Sequence, residues 1–267
     1  PLDLALLVLD PNEEAFLKIL TKIDDAQELR DHIQRVAREA YEVFPYGSIG
    51  SYTFAKAAIS RLPGYADVLA LGSGNGGLFL DAGCCFGVDA RRAAYDGWPV
   101  DRIVATDIVP EFWDLGHKLF RSSAASFPAV FIQGDLLDLT HVTPGLPSSS
   151  LPDLTSLSSL NQLRGHVTAI HASALFHLFS EEEQQALAIA LGGLLASVPG
   201  ASIFGWSTGV TVAGYVEFEG VVSHPRLFCH SKSTWEALWN GVVFPKGSVK
   251  VEAHLVDFDH DVGLRLK

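Results

Sequence analysis

The stretch that decides the fold is Phe79-Leu-Asp-Ala-Gly-Cys-Cys-Phe-Gly-Val-Asp89. It begins within a short apolar run, residues 78–82, that predicts a buried strand, and it leads into residues 88–97, whose pattern predicts a helix. Gly83 and Gly87 lie between the two, where they let the backbone turn sharply and approach a ligand closely. The helix offers free N–H groups and a positive dipole end. The stretch therefore predicts a strand–turn–helix unit that binds a small molecule.

The same alternation of strand and helix continues along the chain. Further strands are predicted at residues 102–107, 129–133, 166–171, 201–206 and 248–258. Further helices are predicted at residues 111–120, 180–196 and 233–239, and Ser180 with Glu183 predicts a capping box. Such alternation indicates a parallel sheet with helices on both faces, and the long last strand suggests an antiparallel end. We therefore predict an α/β, Rossmann-like, mostly parallel fold.

Residues 1–77 differ from this pattern, and we predict that they form an amino-terminal helical cap. Apolar residues at helical spacing predict two helices in residues 11–43, broken near Asp24 and Asp25, and a short helix over residues 52–62. The glycine-rich residues 71–77 precede a strand instead of following one, so we interpret them as a flexible surface loop. The core is expected over residues 78–267, with a long loop at 140–160 and an irregular, substrate-side insertion at 207–232.

Composition and charge restrict the function classes. The 267 residues suffice for one α/β core, and a hydrophobic content of 48% excludes disorder for most of the chain. A net charge of −12 without a Lys/Arg run disfavours nucleic-acid partners, so a small-molecule acceptor is expected. No stretch is long and apolar enough to span a bilayer, so we expect a cytoplasmic protein without membrane partners. We expect it to be a monomer or a homodimer. The three cysteines predict neither a disulfide framework nor a metal site.

Acidic residues mark the ends of three successive predicted strands. Asp81 ends the first strand, Asp107 ends the second, and Asp135 follows the third. The carboxyl ends of parallel strands meet at one edge of a sheet, where Asp107 could accept hydrogen bonds from ribose hydroxyls and Asp135 from an adenine amine. The alternative is that each carboxylate only caps a helix or a turn.

These segments carry a resemblance to a known family. Leu-Asp-Ala-Gly-Cys-Cys-Phe-Gly (80–87), Ala-Thr-Asp-Ile (105–108) and Gln-Gly-Asp-Leu (133–136) resemble the first three motifs of class I S-adenosylmethionine-dependent methyltransferases. The resemblance covers residues 78–206 and implies S-adenosylmethionine as the cofactor and a seven-stranded sheet with an antiparallel last strand. The expected cofactor-binding residues are Asp81, Gly83, Cys84, Gly87, Asp107, Ile108, Gly134, Asp135, Leu136 and His171.

One position departs from the family pattern. The pattern is Asp-x-Gly-x-Gly-x-Gly, and the middle glycine is replaced by Cys85. A narrower resemblance, to fungal small-molecule methyltransferases acting on phenols or meroterpenoid acids, rests on the segments Tyr-Glu-Val-Phe-Pro-Tyr (41–46), Ile-Ser-Arg-Leu-Pro (59–63), Phe-Trp-Asp-Leu-Gly-His (112–117) and Ile-His-Ala-Ser-Ala-Leu-Phe-His-Leu-Phe (170–179). It implies O-methylation in secondary metabolism.

Histidines and aromatic residues are the candidates for acting on the acceptor. A phenol acceptor calls for a base, and His171 at the end of the fourth strand and His177 after the next loop are placed for that role. A carboxylate acceptor needs no base, and both rings could instead be structural. Acceptor binding is expected at Tyr41, Tyr46, Trp206, Phe228 and His230, for which core packing is the alternative.

Two further function classes are considered. A nicotinamide-dependent oxidoreductase would use the same crevice, but it predicts Gly-x-Gly-x-x-Gly after the first strand, which residues 83–87 do not supply. A degenerate cofactor-binding module without turnover is suggested only by Cys85. We expect transfer of a methyl group to an oxygen of a small aromatic or acidic metabolite, with a phenol hydroxyl favoured.

Overall fold

The computed structural model describes residues 2–217, 226–256 and 264–266. The helices are α1 (Pro11–Thr21), α2 (Ala26–Val43), α3 (Gly47–Gly50), α4 (Tyr65–Asn75), α5 (Val88–Tyr95), α6 (Pro110–Leu119), α7 (Glu181–Leu194) and α8 (Lys232–Trp239). The strands are β1 (Leu78–Ala82), β2 (Ile103–Asp107), β3 (Val130–Gln133), β4 (Val167–His171), β5 (Ser202–Phe204), β6 (Ser207–Gly209), β7 (Gly214–Glu217), β8 (Arg226–Cys229), β9 (Leu255–Val256) and β10 (Leu264–Leu266). Short 3-10 turns join several of these elements.

The central sheet has the strand order β3-β2-β1-β4-β5, and all of its pairings are parallel. Every residue of β1 and β2 is buried, as expected for strands that are covered on both faces. Side chains alternate along β1: Phe79 belongs to a cluster with residues of α4 and α5, and Leu80 to a cluster with residues of α7. The α/β fold with helices on both faces is therefore confirmed.

The prediction of a seven-stranded sheet with an antiparallel last strand is wrong for the described residues. The central sheet has five strands, and the others form two small antiparallel sheets, β6-β10-β9 and β7-β8. Of the predicted strand 248–258, only Leu255–Val256 is a strand, it pairs with β10, and residues 257–258 lie outside the described residues. The error has a simple cause, because Lys250, Glu252 and His254 are exposed. A pattern of alternating polar and apolar residues indicates that one side of the segment faces solvent, but it does not show which strand the segment pairs with.

The amino-terminal helices pack against the core. Lys22 ends α1 in a left-handed conformation and the Asp25 side chain caps the start of α2, which confirms the predicted break between them. Buried apolar residues of both helices share one cluster with Phe112 and Leu119 of α6. This cluster joins the expected cap to the core, and the domain boundary at residue 77 stays a prediction.

Two predictions for residues 52–77 are wrong. Residues 52–62 contain 3-10 turns at Thr53–Ala55 and Ala58–Arg61 instead of a continuous helix. Residues 71–75 belong to α4, not to a flexible loop, and the helix ends at Gly76, whose φ is 63°. The Cβ of any residue replacing Gly72 would overlap the Trp98 ring, so this glycine permits close packing that the local sequence does not reveal.

The carboxyl-terminal half agrees better with expectation. Residues 140–160 are a loop with a 3-10 turn at Leu154–Ser156. The capping box is confirmed at the start of α7, where the Ser180 N–H donates to Glu183 Oε2 over 2.8 Å. The insertion is not irregular, because it contains β6 and the hairpin β7-β8; residues 218–225 lie outside the described residues. Within the described part of the chain, no helix combines the length and hydropathy needed to cross a membrane.

Candidate active site

Asp81 and His171 meet at the carboxyl end of the two central strands. They are register partners on β1 and β4, and Oδ1 of the carboxylate lies 2.8 Å from Nδ1 of the ring. Each residue is only 2% exposed. The other ring nitrogen, Nε2, lies 2.6 Å from Oγ of the half-buried Ser173. The three side chains form one hydrogen-bonded chain that leads from a buried carboxylate to a more accessible hydroxyl.

The second oxygen of the Asp81 carboxylate is suited to a bound ligand. Oδ2 is buried and has no hydrogen-bond partner among the described residues. A buried acceptor without a donor costs about 1–3 kcal/mol, so a ligand that supplies one gains affinity. The methionine ammonium of S-adenosylmethionine is such a donor, and the site therefore fits the cofactor that the sequence predicts.

Two carboxylates act on the charge of His171. Burial by itself lowers the pKa of His171, but the hydrogen bond that the ring donates to Asp81 and the negative charges of Asp89 and Asp81 outweigh it and raise the pKa. Asp89 lies in the first turn of α5 and accepts a hydrogen bond from the Ile59 N–H over 2.9 Å. Burial raises the pKa of Asp89 to about 6. His171 therefore holds a proton more readily than an ordinary histidine does.

Residues 83–87, here called the glycine turn, connect β1 with α5. The N–H groups of Gly83 and Cys84 donate to the Thr106 carbonyl oxygen over 2.9 and 3.0 Å. Gly83 and Gly87 have φ angles of 70° and 62°, and Cys85 adopts 49°, although it is not a glycine. The departure from the family pattern leaves this left-handed backbone in place, at the cost of strain that a Cβ creates there.

The two adjacent thiols are not activated. Burial raises the pKa of Cys84 well above its usual value, and the charges of Asp107 and Asp81 add to the effect. The pKa of Cys85 is raised in the same way, by burial first and then by Asp107. Both thiols stay protonated at neutral pH, so neither is suited to act as a nucleophile.

Asp107 joins the glycine turn to the end of β2. Its Oδ2 accepts from the Cys85 N–H over 2.8 Å, and its Oδ1 accepts from the Val109 N–H over 3.0 Å. Burial and, after it, the charge of Asp107 raise the pKa of the half-buried Tyr46 to about 12. Ile108, the next residue along the chain, is half exposed at the same edge.

The loop after β3 lies at the same edge of the sheet. The Gly134 N–H donates to the Asp107 carbonyl oxygen over 3.1 Å, and the exposed Asp135 accepts from the Leu137 N–H over 2.9 Å. Leu136 is buried in the core. His141 packs against Gly134 so closely that any side chain at position 134 would overlap the ring. Gly134 is therefore needed for packing as well as for its place near the crevice.

His177 and Trp206 form a second group, beyond the ends of β4 and β5. Their ring centroids are 6.4 Å apart, with an angle of 25° between the planes. The Ser207 Oγ lies 3.0 Å from Nδ1 of His177, and the Thr208 N–H donates to the same nitrogen over 3.3 Å. In the neutral ring Nδ1 is thus an acceptor, and the proton lies on Nε2.

The remaining residues that are expected to bind the acceptor lie in different environments. Phe228 and His230 are buried with ring centroids 5.1 Å apart, and burial lowers the pKa of His230 to about 4. Tyr41 lies on α2, is 37% exposed and is close to Gly50. The described contacts bring Trp206 to His177 and bring Tyr46 to Phe112 of α6, with ring centroids 5.7 Å apart, but they do not bring Tyr41 to His177 or to Asp107.

Sequence reasoning missed three residues of the site. Ser173 could have been found, because it lies two positions after His171 within the segment of the narrower resemblance. Asp89 also lies within the decisive stretch. His141 gave no signal: its Nε2 lies 3.0 Å from Oγ1 of Thr106, a contact between residues 35 positions apart that only the folded chain creates.

One family and several fungal methyltransferases are similar in sequence to this chain. A family described as the meroterpenoid methyltransferase N-terminal domain matches residues 4–55. The Asnovolin E/Chermesin D methyltransferase nvfJ of Aspergillus novofumigatus is 31% identical over 90% of this chain and 80% of its own length. The methyltransferase adrK of Penicillium roqueforti is 32% identical over 81% of this chain and 71% of its own.

A third relative and one solved structure are also similar to this chain. The O-methyltransferase phiE of a fungal species is 29% identical over 81% of this chain, which spans 66% of that protein's length. The 1,6-didemethyltoxoflavin-N1-methyltransferase of Burkholderia thailandensis has a TM-score of 0.53 and 14% identity, covering 88% of this chain and 87% of its own. At that identity the likeness concerns the fold.

Proposed function

Because the chain belongs to the fungal class I S-adenosylmethionine-dependent O-methyltransferases, we propose that it methylates an oxygen of a small aromatic or acidic metabolite, with a phenol hydroxyl favoured. The observation that carries the proposal is the chain Asp81–His171–Ser173 at the carboxyl end of β1 and β4. It combines an acceptor oxygen for the cofactor with a route for the proton of a phenol.

Three carboxylates are proposed to hold the cofactor. Asp81 Oδ2, which lacks a donor among the described residues, would accept from the methionine ammonium. Asp107 would accept from the ribose hydroxyls through the lone pairs that Cys85 and Val109 leave free, and Asp135 from the adenine amine. When bound, the cofactor supplies a methyl group on a positively charged sulfur. The residues around it orient the acceptor oxygen in line with that group and exclude water.

The proton of a phenol acceptor is proposed to leave through Ser173 and His171. In the neutral ring Nδ1–H donates to Asp81, so the lone pair of Nε2 faces the Ser173 hydroxyl. Ser173 can then accept the phenol proton while its own proton passes to Nε2. His177 is the weaker candidate, because its Nδ1 accepts from Thr208 and its neutral ring carries the proton on Nε2.

A carboxylate acceptor is the second candidate. Both ring nitrogens of His171 already have partners, and its pKa is raised by Asp81 and Asp89, so a smaller fraction of the ring is neutral and able to accept a proton near neutral pH than for a free imidazole. An acceptor that is already ionised needs no base. In this variant the Ser173 hydroxyl would donate to the acceptor carboxylate instead of relaying a proton.

The acceptor is proposed to lie between the amino-terminal cap, residues 1–77, and the insertion, residues 207–232. Tyr46 from the first packs against Phe112 of α6, the helix that follows β2, and Trp206 at the border of the second follows β5 in the chain. Their aromatic rings would grip a flat or apolar acceptor, as pocket-lining aromatics commonly do.

The test is methyl transfer from labelled S-adenosylmethionine to a panel of phenols and carboxylic acids, with Ser173→Ala and His171→Asn as variants. With a phenol, both variants should lower kcat about 100-fold or more, the usual range of general-base catalysis, and the wild-type rate should rise with pH through the raised pKa of His171. With a carboxylate, neither effect is expected.

The remaining outcomes are equally decisive. Binding of S-adenosylhomocysteine without turnover of any acceptor would favour the degenerate binding module over an enzyme. Failure of the folded wild-type protein to bind S-adenosylhomocysteine at millimolar concentration in calorimetry would contradict the proposal altogether.

A further inference from the structure

Arg91, on α5, is a buried cation without an acidic partner. It is 3% exposed, and it forms no ion pair with any Asp or Glu in the described part of the chain. Burial lowers its pKa to about 10, so the guanidinium remains charged at neutral pH. Taking a guanidinium out of water is unfavourable unless its N–H groups and its charge are compensated.

The charge is compensated in part by the glycine turn, by three rings and by His117, whose Nδ1 lies 3.4 Å from Nη2, while the buried Nε has no hydrogen-bond partner among the described residues. Nη1 donates to the carbonyl oxygens of Phe86 and Gly87 over 2.9 and 3.2 Å. The guanidinium carbon lies 5.1, 4.8 and 4.4 Å from the ring centroids of three aromatic residues, which are Trp113, Phe120 and Phe127. Cation–π contacts of this kind stabilise a desolvated arginine. The rings hold the cation, and its donors reach the backbone that follows Cys85.

The backbone that Arg91 contacts needs an external support. Three residues of the glycine turn, Gly83, Cys85 and Gly87, have positive φ, and Cys85 carries a Cβ that disfavours this conformation. The Cys85 N–H must nevertheless point at Asp107 to donate its 2.8 Å hydrogen bond. Arg91 fixes the carbonyl groups on the other side of Cys85, so the strained residue is restrained from both ends.

We propose that Arg91 is a positioning residue for the cofactor: its two hydrogen bonds hold the glycine turn in the left-handed conformation that orients Cys85 toward Asp107. The inference deepens the proposed function and depends on it for the identity of the ligand. It also makes a claim about the unliganded chain, since the turn should be held in place before any ligand binds. Apolar packing alone would not require a charge at this position.

Two substitutions at Arg91 and one at its neighbour test the role. Arg91→Met keeps an unbranched side chain that can pack against the rings but removes the charge and the donors, whereas Arg91→Lys keeps a charge and part of the donor capacity. Arg92→Met is the matched control, because Arg92 pairs with Asp96 over 2.8 Å and contacts Phe16, away from the turn.

Affinity for S-adenosylhomocysteine and amide hydrogen exchange are the two readouts. Arg91→Met should weaken binding roughly tenfold or more, as expected when hydrogen bonds from a charged donor are lost, while Arg91→Lys should fall between it and the wild type. KM for S-adenosylmethionine should rise, with less change in KM for the acceptor. Exchange of the amides of residues 83–87 in the unliganded protein should accelerate in Arg91→Met and remain unchanged in Arg92→Met.

A rescue distinguishes positioning from mere stability. Cys85→Gly removes the strain that Arg91 is proposed to offset, so the double variant Arg91→Met with Cys85→Gly should recover part of the lost affinity, giving a non-additive cycle. The inference is overturned if Arg91→Met is less stable but its affinity for S-adenosylhomocysteine and the exchange of the amides of residues 83–87 are unchanged. It is also overturned if the double variant recovers no affinity, or if neither Arg91 variant folds. Should the wild type bind no S-adenosylhomocysteine, the proposed function fails, while hydrogen exchange still decides whether Arg91 holds the turn.

Discussion

Asp81 and His171 occupy paired positions on neighbouring parallel strands, and their side chains meet at 2.8 Å in a nearly water-free environment. Backbone pairing fixes this relationship, because the ladder of β1 and β4 sets both Cα positions and leaves the side chains on the same face. The carboxylate holds the ring through one oxygen, and its other oxygen has no hydrogen-bond partner among the described residues. Under the proposed function, Asp81 would therefore link the cofactor to the ring that accepts the proton.

Asp81→Asn should weaken the binding of S-adenosylhomocysteine roughly 10- to 150-fold, because a hydrogen bond from a charged donor contributes about 1.5–3 kcal/mol. It should also lower the pKa of His171, since the carboxylate is one of the groups that raise it. Calorimetry measures the first effect and NMR titration of the ring the second. Asp101→Asn, an exposed carboxylate before β2 at the opposite edge of the sheet, should change neither; equal effects in both variants would argue against the assignment.

Asp107→Ala and Asp107→Asn should separate the two tasks of this carboxylate. Alanine removes the acceptor for both the Cys85 and the Val109 N–H, so it should lower both stability and cofactor affinity. Asparagine keeps one oxygen and should lose less stability, yet it should still bind S-adenosylhomocysteine at least roughly tenfold more weakly, since one acceptor cannot serve the turn and the ribose together. Denaturant unfolding and calorimetry check the two effects. Wild-type affinity in a folded Asp107→Ala protein would exclude Asp107 from the cofactor site.

Cys85→Gly should stabilise the protein by about 0.5–1 kcal/mol, because the strain of a left-handed residue with a Cβ exceeds the entropic cost of glycine. Cys84→Gly is the matched control, since Cys84 is the neighbouring thiol and is not among the residues with positive φ. That control should be destabilising by a similar amount or more, because it also removes a buried side chain. Urea unfolding of both variants decides the point, and destabilisation by Cys85→Gly would contradict it.

Local sequence was enough to predict the strands that build the site. The runs that form β1 and β2 are apolar, short and bounded by glycine or aspartate, so their identity does not depend on distant residues. The strand ends then bring Asp81 and Asp107 to one edge, as expected from parallel topology. The capping box at Ser180 and Glu183 is equally local.

The features that could not be predicted depend on distant contacts. Helix α4 continues through residues 72–75, and its Gly72 lets the Trp98 ring approach, a contact that no pattern in residues 65–77 reveals. The segment after α8 has the alternating pattern of a strand. Only its end, β9, is a strand, and it pairs with β10 in a small antiparallel sheet instead of joining the central sheet. In the same way, Arg91 looks like an ordinary helix-surface charge in the sequence, and only the folded chain surrounds it with aromatic rings.

The contribution of His230 to the stability of the protein should fall as the pH is lowered from 6.5 to 4. This side chain is 6% exposed, its Nδ1 lies 3.0 Å from Oγ1 of Thr234, and burial lowers its pKa to about 4. In that interval the unfolded chain binds a proton at His230 and the folded chain does not. The contribution of the neutral, buried ring is therefore fully present above pH 6.5 and is lost as the pH falls toward 4.

His230→Asn should remove this part of the pH dependence. The linkage relation gives roughly 2 kcal/mol for the loss in the wild type between pH 7.5 and pH 5 from this group alone. Urea unfolding at both pH values should show that the pH-dependent change in the free energy of unfolding differs between the variant and the wild type by about this amount. Other groups contribute in both directions, because burial lowers the pKa of His32, His117 and His141 but raises that of Asp89 to about 6. His254→Asn, which removes an exposed histidine, is the control variant, and a wild-type slope in His230→Asn would mean that the ring titrates normally in the folded chain.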